Sequence, residues 1–161
     1  MGTRGNRDAN VKSTALAVES TIHASAVLVG AHAILIRGPS GSGKSRLALS
    51  LVQACPNAGV RFARLVADDR ARLEAAHGRL LVRPAETLAG LIEVRGLGIR
   101  RLPHEPVAVV GSVVDLAAAD GERLPAHALV VIAGIQLPRL AVALGESALE
   151  IILASCTTSA A

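Results

Sequence analysis

Short apolar runs separated by turn residues make up most of this chain, and their spacing predicts an alternation of strands with three helices, one of them short. Residues 24–29 and 32–37 are apolar runs on either side of Gly30-Ala31, which predicts a strand pair turning at that dipeptide. Leu47, Leu51 and Val52 give residues 44–54 a helical spacing, and Pro56-Asn57 with Gly59 stop it. Residues 64–67 predict the next strand. Leu73 and residues 79–82 predict a hairpin around His77-Gly78. Residues 84–89 open with proline, as a short helix does. Residues 107–116 and 128–135 are two further β-rich runs, and residues 147–154 predict a closing helix. Strand, glycine-rich loop, helix, strand is an α/β order, and the many later strands favour a mixed β-sheet with flanking helices over a purely parallel one. Residues 1–18 read as a loosely attached, flexible arm, 19–156 as one domain and 157–161 as a frayed tail.

Composition narrows the class. The chain has 161 residues, 51% of them hydrophobic and 1% aromatic, so Ala, Leu, Val and Ile must build its core. No apolar run approaches the roughly 18 residues that span a bilayer; the best, residues 128–135, has the length of a buried strand. The first 13 residues lack the apolar segment of a signal peptide, so the expectation is a soluble, cytoplasmic protein without a membrane partner. Cys55 and Cys156 have no metal-ligand spacing and read as reduced thiols. The net charge of +4 is mild, no long basic run is present and aromatic side chains to stack bases are nearly absent, which argues against nucleic acid. Lys12 and Lys44 are the only lysines, so a lysine inside a glycine-rich loop carries weight.

That loop is Gly38-Pro39-Ser40-Gly41-Ser42-Gly43-Lys44-Ser45, a complete G-x-x-x-x-G-K-[ST] phosphate loop (P-loop). Glycines let successive backbone N–H groups curl around an anion without Cβ clashes. The helix beginning near Lys44 turns its positive end toward the phosphates. Lys44 would reach the β- and γ-phosphates of ATP, and the Ser45 hydroxyl would face Mg²⁺. Downstream, residues 65–67 run into the paired acids Asp68 and Asp69. A strand beside the loop would put these acids near the γ-phosphate, one to hold Mg²⁺ and the other to take a proton from an attacking hydroxyl. Neighbouring acids on a strand face opposite ways, so they would not share one role. Glu93 sits among apolar residues, where a carboxylate is costly unless it binds a cation or pairs, with Arg95 as one candidate. His23, like His32, His77, His104 and His127, reads as structural from its surroundings, and Arg123 and Arg139 read as ordinary surface arginines.

Taken together, Ile22-His23-Ala24, the phosphate loop, Leu65-Val66-Ala67-Asp68-Asp69 and Glu93-Val94-Arg95-Gly96-Leu97-Gly98-Ile99 resemble the catalytic domain of the HPr kinase/phosphorylase family, in a short form without the N-terminal domain. The resemblance covers roughly residues 20–155. It implies an ATP- and Mg²⁺-dependent serine kinase acting on the phosphocarrier HPr, with phosphorolysis of the phosphoserine by inorganic phosphate, releasing pyrophosphate, as a second activity. It implies His23, Lys44, Asp69 and Arg123 as catalytic residues, residues 38–45 as the nucleotide loop, and Ser45, Asp68 and Glu93 around the metal. It also implies a homo-oligomer, a hexamer in the family. The family's arginine- and proline-rich loop is largely missing from Leu137-Pro138-Arg139-Leu140-Ala141-Val142-Ala143-Leu144-Gly145-Glu146, which sets phosphorolysis and the usual HPr docking apart from the rest. A small-molecule kinase on a P-loop fold and a non-catalytic ATP-sensing module are the alternatives.

Overall fold

The computed structural model describes residues 19–59, 62–121 and 128–158. The expected N-terminal arm, residues 1–18, lies outside them, as do Arg123, His127 and residues 159–161. Eleven strands and two helices are found among the described residues: β1 (Glu19–Ile22), β2 (Ser25–Val29), β3 (His32–Arg37), α1 (Lys44–Ala54), β4 (Ala63–Ala67), β5 (Ala71–Ala76), β6 (Arg79–Pro84), β7 (Leu91–Val94), β8 (Gly98–Arg101), β9 (Ala108–Leu116), β10 (Ala128–Ile132), β11 (Ile135–Val142) and α2 (Ala148–Thr157).

One large sheet runs β1-β5-β6-β9-β3-β2-β4, and β7 with β8 forms a separate hairpin. The large sheet is mixed, as expected: β3 and β11 pair parallel to β9, whereas the other pairings are antiparallel. The long strand β9 has β3 on one flank and divides the other between β6, near its start, and β11, near its end. β3 is apolar on both faces because both are covered. Ala33 and Leu35 pack into a core with Val66, Leu73, Val82 and Val113. Ile34 and Ile36 face the opposite core with Leu47, Leu51, Leu116 and Ile152, where α1 and α2 lie. Such a run reads as continuous hydrophobicity rather than alternation.

Several elements depart from the sequence expectations. The run at 128–135 is a hairpin, not one strand. Ala133 and Gly134 take φ of 49° and 78°, the left-handed pair of a tight two-residue turn, and β10 returns as β11. Alanine is a poor advertisement for that turn, whereas His77-Gly78 (φ 51° and 74°) closes the β5–β6 hairpin where expected. Pro84 ends β6 instead of opening a helix, and only a single 3₁₀ turn, Glu86–Leu88, follows. Helix α2 runs to Thr157, into the expected tail. β1 was not foreseen; it pairs with β5 through the register Glu19↔Glu74 to Ile22↔Ala71. No helix among the described residues is long and apolar enough to cross a membrane.

Candidate functional site

The phosphate loop leaves β3 at Arg37 and enters α1 at Lys44. Gly41 and Gly43 hold φ of 78° and 95°, a left-handed region that residues with a Cβ enter at a cost of about 1–2 kcal/mol. Around both, the space a Cβ would occupy is open, so the demand is one of backbone conformation and of room for a ligand. Gly38 is different: a Cβ there would come within 2.6 Å of Ser42 Oγ and 3.0 Å of the Leu116 carbonyl, so the loop's first residue is pressed against the end of β9. Lys44 is buried and donates from Nζ to the carbonyls of Gly38 (2.9 Å) and Pro39 (3.0 Å), folded over the loop. Ser42 Oγ is buried without a hydrogen-bond partner among the described residues.

The paired acids reach the same edge of the sheet by an indirect route. The sequence reading places the acid-bearing strand beside the phosphate loop, but β4 is not the neighbour of β3; β2 lies between them. Because β2 is antiparallel to both, β3 and β4 still run in the same direction and end on one side. Asp68 and Asp69 then separate. Asp68 is 4% exposed and accepts from Ser25 Oγ (2.6 Å) and the Glu93 backbone N–H (3.3 Å). Asp69 follows with φ of 65°, which turns it outward, and its Oδ1 lies 3.0 Å from His23 Nε2. Both of those side chains are open, 52% exposed for His23 and 62% for Asp69. A non-glycine residue in the left-handed region is strain that surrounding structure must maintain, and such strain gathers at functional positions. Asp68, tied to β2 and β7 by hydrogen bonds, holds the bend in place.

His23, Asp68, Asp69, Glu93, Lys44 and Ser45 all line one cavity of about 790 Å³. The structure therefore brings together every expected site residue of the described part, with Ser40, Gly41, Ser42 and Gly43 on the same wall and Gly38 and Pro39 behind Lys44. Glu93 is exposed toward this cavity, and among the described residues it makes no ion pair with Arg95, the pairing partner the sequence offered. A second recess of about 400 Å³ is lined by Thr21, Ile22, His23, Asp69 and Arg70. His23 and Asp69 thus line both.

Among the described residues no three His, Cys, Asp or Glu side chains converge as a ready-made metal cage. Mg²⁺ does not require one, since it is commonly held by one or two carboxylates, phosphate oxygens and water. Ser45, Asp68 and Glu93 around a cavity with an open glycine cradle fit that donor set.

Sequence reasoning missed two features of this edge. Ser25, at the start of β2, gives its hydroxyl to Asp68, a contact across 43 positions that no local pattern announces. Arg139 is not an ordinary surface arginine: it donates from Nε to Asp115 (2.5 Å) and from Nη1 and Nη2 to Asp120 (2.6 and 3.0 Å). Asp115 also accepts Nε and Nη2 of Arg37, at 2.7 and 2.8 Å. Burial pushes the Asp115 carboxyl up, but the hydrogen bonds and charges of Arg37 and Arg139 outweigh it and hold the group below the usual carboxylate range.

A family model described as the HPr Serine kinase C-terminal domain matches residues 14–103. An HPr kinase/phosphorylase of Clostridium tetani is 39% identical over 101 residues, which are 63% of this chain and 30% of the relative. One of Streptococcus thermophilus is 44% identical over 85 residues, 52% of this chain and 25% of the relative. The chain thus spans less than a third of the length of these relatives. Among solved structures, the Hpr(Ser) kinase/phosphatase from Coxiella burnetii superposes with a TM-score of 0.69, covering 83% of this chain and 91% of that one at 23% identity, a likeness of fold.

Proposed function

The chain belongs to the HPr serine kinase C-terminal domain family, and from that premise we propose that it transfers the γ-phosphoryl group of Mg-ATP to a serine hydroxyl of an HPr-type phosphocarrier protein. The observation that carries this reading is the His23–Asp69 contact, 3.0 Å long, on the wall of the cavity that the phosphate loop also lines. A serine hydroxyl is a poor nucleophile until its proton has an acceptor, and a carboxylate within reach of the phosphate is the group for that task.

In this reading the loop N–H groups and the start of α1 bind the phosphates, and Lys44 exchanges its two loop carbonyls for the transferring phosphate. Asp69 accepts the serine proton, and the His23 imidazole orients that carboxylate. Ser45 and Glu93, with Asp68 held behind them, would hold Mg²⁺, which when bound neutralises phosphate charge. Arg123, outside the described residues, keeps its expected catalytic role as part of this proposal. Phosphorolysis with inorganic phosphate would use the same groups in reverse, and assembly into a homo-oligomer belongs to the same reading. A purely ATP-sensing module has no use for a strained, outward-turned Asp69, so the catalytic reading is favoured over it.

The test is direct. The protein is incubated with labelled ATP, Mg²⁺ and HPr-type carriers, and phosphoserine is sought on the carrier. Transfer that requires both Mg²⁺ and Asp69 is expected. Nucleotide binding without transfer to any carrier would overturn this reading and leave the sensing module and the small-molecule kinase.

A further inference from the structure

We propose that the ion-pair chain Arg37–Asp115–Arg139–Asp120 is a positioning device for the phosphate loop, fixing the end of β3 so that the loop backbone is held ready for phosphate. The proposal rests on the reading of residues 38–45 as the nucleotide loop.

Its starting point is the covalent neighbourhood. Arg37 is the last residue of β3, and the next residue is Gly38, where the loop begins. In the parallel β3–β9 ladder Arg37 stands opposite Asp115. The guanidinium grips that carboxylate as a fork, Nε on Oδ1 and Nη2 on Oδ2, a geometry that fixes direction as well as distance. The residue after Asp115 is Leu116, whose carbonyl and Cβ lie where a side chain on Gly38 would have to go. Residues 115–116 therefore hold the loop's root twice, once through charge and once through close packing.

The chain continues outward. Asp115 Oδ2 also accepts Arg139 Nε, and the other two nitrogens of Arg139 close on both oxygens of Asp120. β11 pairs with β9 beside this point, with Arg139 opposite Val113. One connected set of hydrogen bonds thus joins the ends of β3 and β9, the middle of β11 and the turn after β9. Two arginines balance two aspartates, and all four carboxylate oxygens accept at least one N–H. Asp115 and Arg139 are only 15% and 18% exposed. A neutral, saturated cluster, covered at its Asp115–Arg139 centre, has little to offer an anion, so its role lies in what it holds.

What it holds needs holding. Between Gly38 and α1 the loop keeps one short backbone hydrogen bond of its own, Ser42 N–H to the Pro39 carbonyl at 3.1 Å, beside the two Lys44 contacts. When Lys44 moves to phosphate those two are given up. The loop's order then depends on its two ends, α1 and β3. A site whose root is fixed in advance binds more tightly, because less freedom is lost on binding.

The experiment measures Mg-ATP binding by calorimetry, with steady-state KM values for ATP and for the carrier, on Asp115→Asn, Arg139→Gln, Asp120→Asn and Lys44→Ala, each first checked for folding by thermal melting. Asp115→Asn is expected to weaken Mg-ATP binding about tenfold, with the KM for the carrier unchanged and affinity partly restored in Asp115→Glu. Arg139→Gln should show a smaller change of the same kind, and Asp120→Asn, at the exposed end, the least. Should Asp115→Asn fail to fold, Arg139→Gln carries the test. A folded variant that melts earlier yet binds Mg-ATP like the wild type would overturn the proposal, leaving the cluster a matter of stability alone. A raised KM for the carrier with unchanged ATP affinity would overturn it as well. If the wild type and Lys44→Ala bind nucleotide equally poorly, the reading of the loop itself fails; if those two separate while Asp115→Asn matches the wild type, only the positioning role fails.

Discussion

Two aspartates at one edge of the sheet sit beside nitrogen-bearing side chains, and their surroundings make them opposites. Asp69 has one contact, His23, in an open cavity, and its backbone is strained to present it. Asp115 has two arginines, ordinary strand geometry and little exposure. The first carboxylate keeps lone pairs free for a proton or a ligand, and the second has spent its hydrogen-bonding capacity on the scaffold. Unused capacity inside a cavity points to chemistry; saturation beneath it points to support. The same rule separates Asp68 from Asp69: one residue apart in sequence, the former is buried and bound to Ser25 and the Glu93 N–H, and the latter is exposed with His23 as its one contact.

The strongest way to break this contrast is Asp69→Asn. Asparagine preserves shape but cannot take a proton, so phosphoryl transfer should fall about 10²–10⁴-fold while Mg-ATP affinity stays near that of the wild type. Asp68→Asn should instead lower the melting temperature through its buried hydrogen bonds. Steady-state transfer rates and thermal melts on both variants decide. An inactive, normally stable Asp68→Asn beside an active Asp69→Asn would reverse the two roles.

The second test asks whether the saturated cluster is as closed as its geometry says. Phosphorolysis must hold inorganic phosphate beside a phosphoserine, two anions about 4–5 Å apart that repel by several kcal/mol at an effective dielectric near 20. Arg139 is the one cation in residues 137–146, and it is engaged by Asp115 and Asp120. Pyrophosphate release from phosphorylated carrier should therefore run slower than the forward reaction with ATP. Equal or faster phosphorolysis would mean that the second phosphate is held by other cations.

Lys44→Ala comes next. Loss of charge-assisted hydrogen bonds to phosphate is worth about 1.5–3 kcal/mol, so nucleotide affinity should drop about 10- to 100-fold. Unchanged affinity by calorimetry would remove the nucleotide reading of the loop altogether.

How much of this was legible in the sequence follows from where the information lies. The phosphate loop is contiguous, its glycines meet a local backbone requirement, and helix α1 follows from the spacing of Leu47 and Leu51; all of it could be read directly. The family resemblance brought in His23, which the structure sets against Asp69. The Arg37–Asp115 fork could not be read, because it depends on a parallel register between strands 78 positions apart. Arg139 was misread for the same reason, compounded by the Ala133-Gly134 turn: without that hairpin there is no β11 to carry it to Asp115. β1 escaped because four residues with only Ile22 apolar give no pattern, and it is a strand because β5 offers a partner.

The smallest expected effect concerns acid, and its sign follows from the cluster. Asp115 is pushed up by burial, and the arginine hydrogen bonds and charges pull it further down, so its folded-state value lies below the unfolded one of about 3.9. Between those two values the unfolded chain binds more protons than the folded one, so folding is stabilised as pH rises. The contribution of Asp115 is complete above about pH 4 and disappears as pH falls through the lower, folded value. Asp120 shifts the same way, chiefly through its hydrogen bond from Arg139, but it is exposed and salt will screen its share. Thermal melts of wild type and Asp115→Asn should therefore differ by about a few degrees near neutral pH and converge in acid, where the other carboxylates titrate alike in both proteins. In about 1 M salt the gap between wild type and Asp120→Asn should close while that for Asp115→Asn persists. A gap for Asp115→Asn that stays constant from neutral pH into acid would show that the variant acts through shape rather than charge, and Asp115 would lose its place as the charged centre of the cluster.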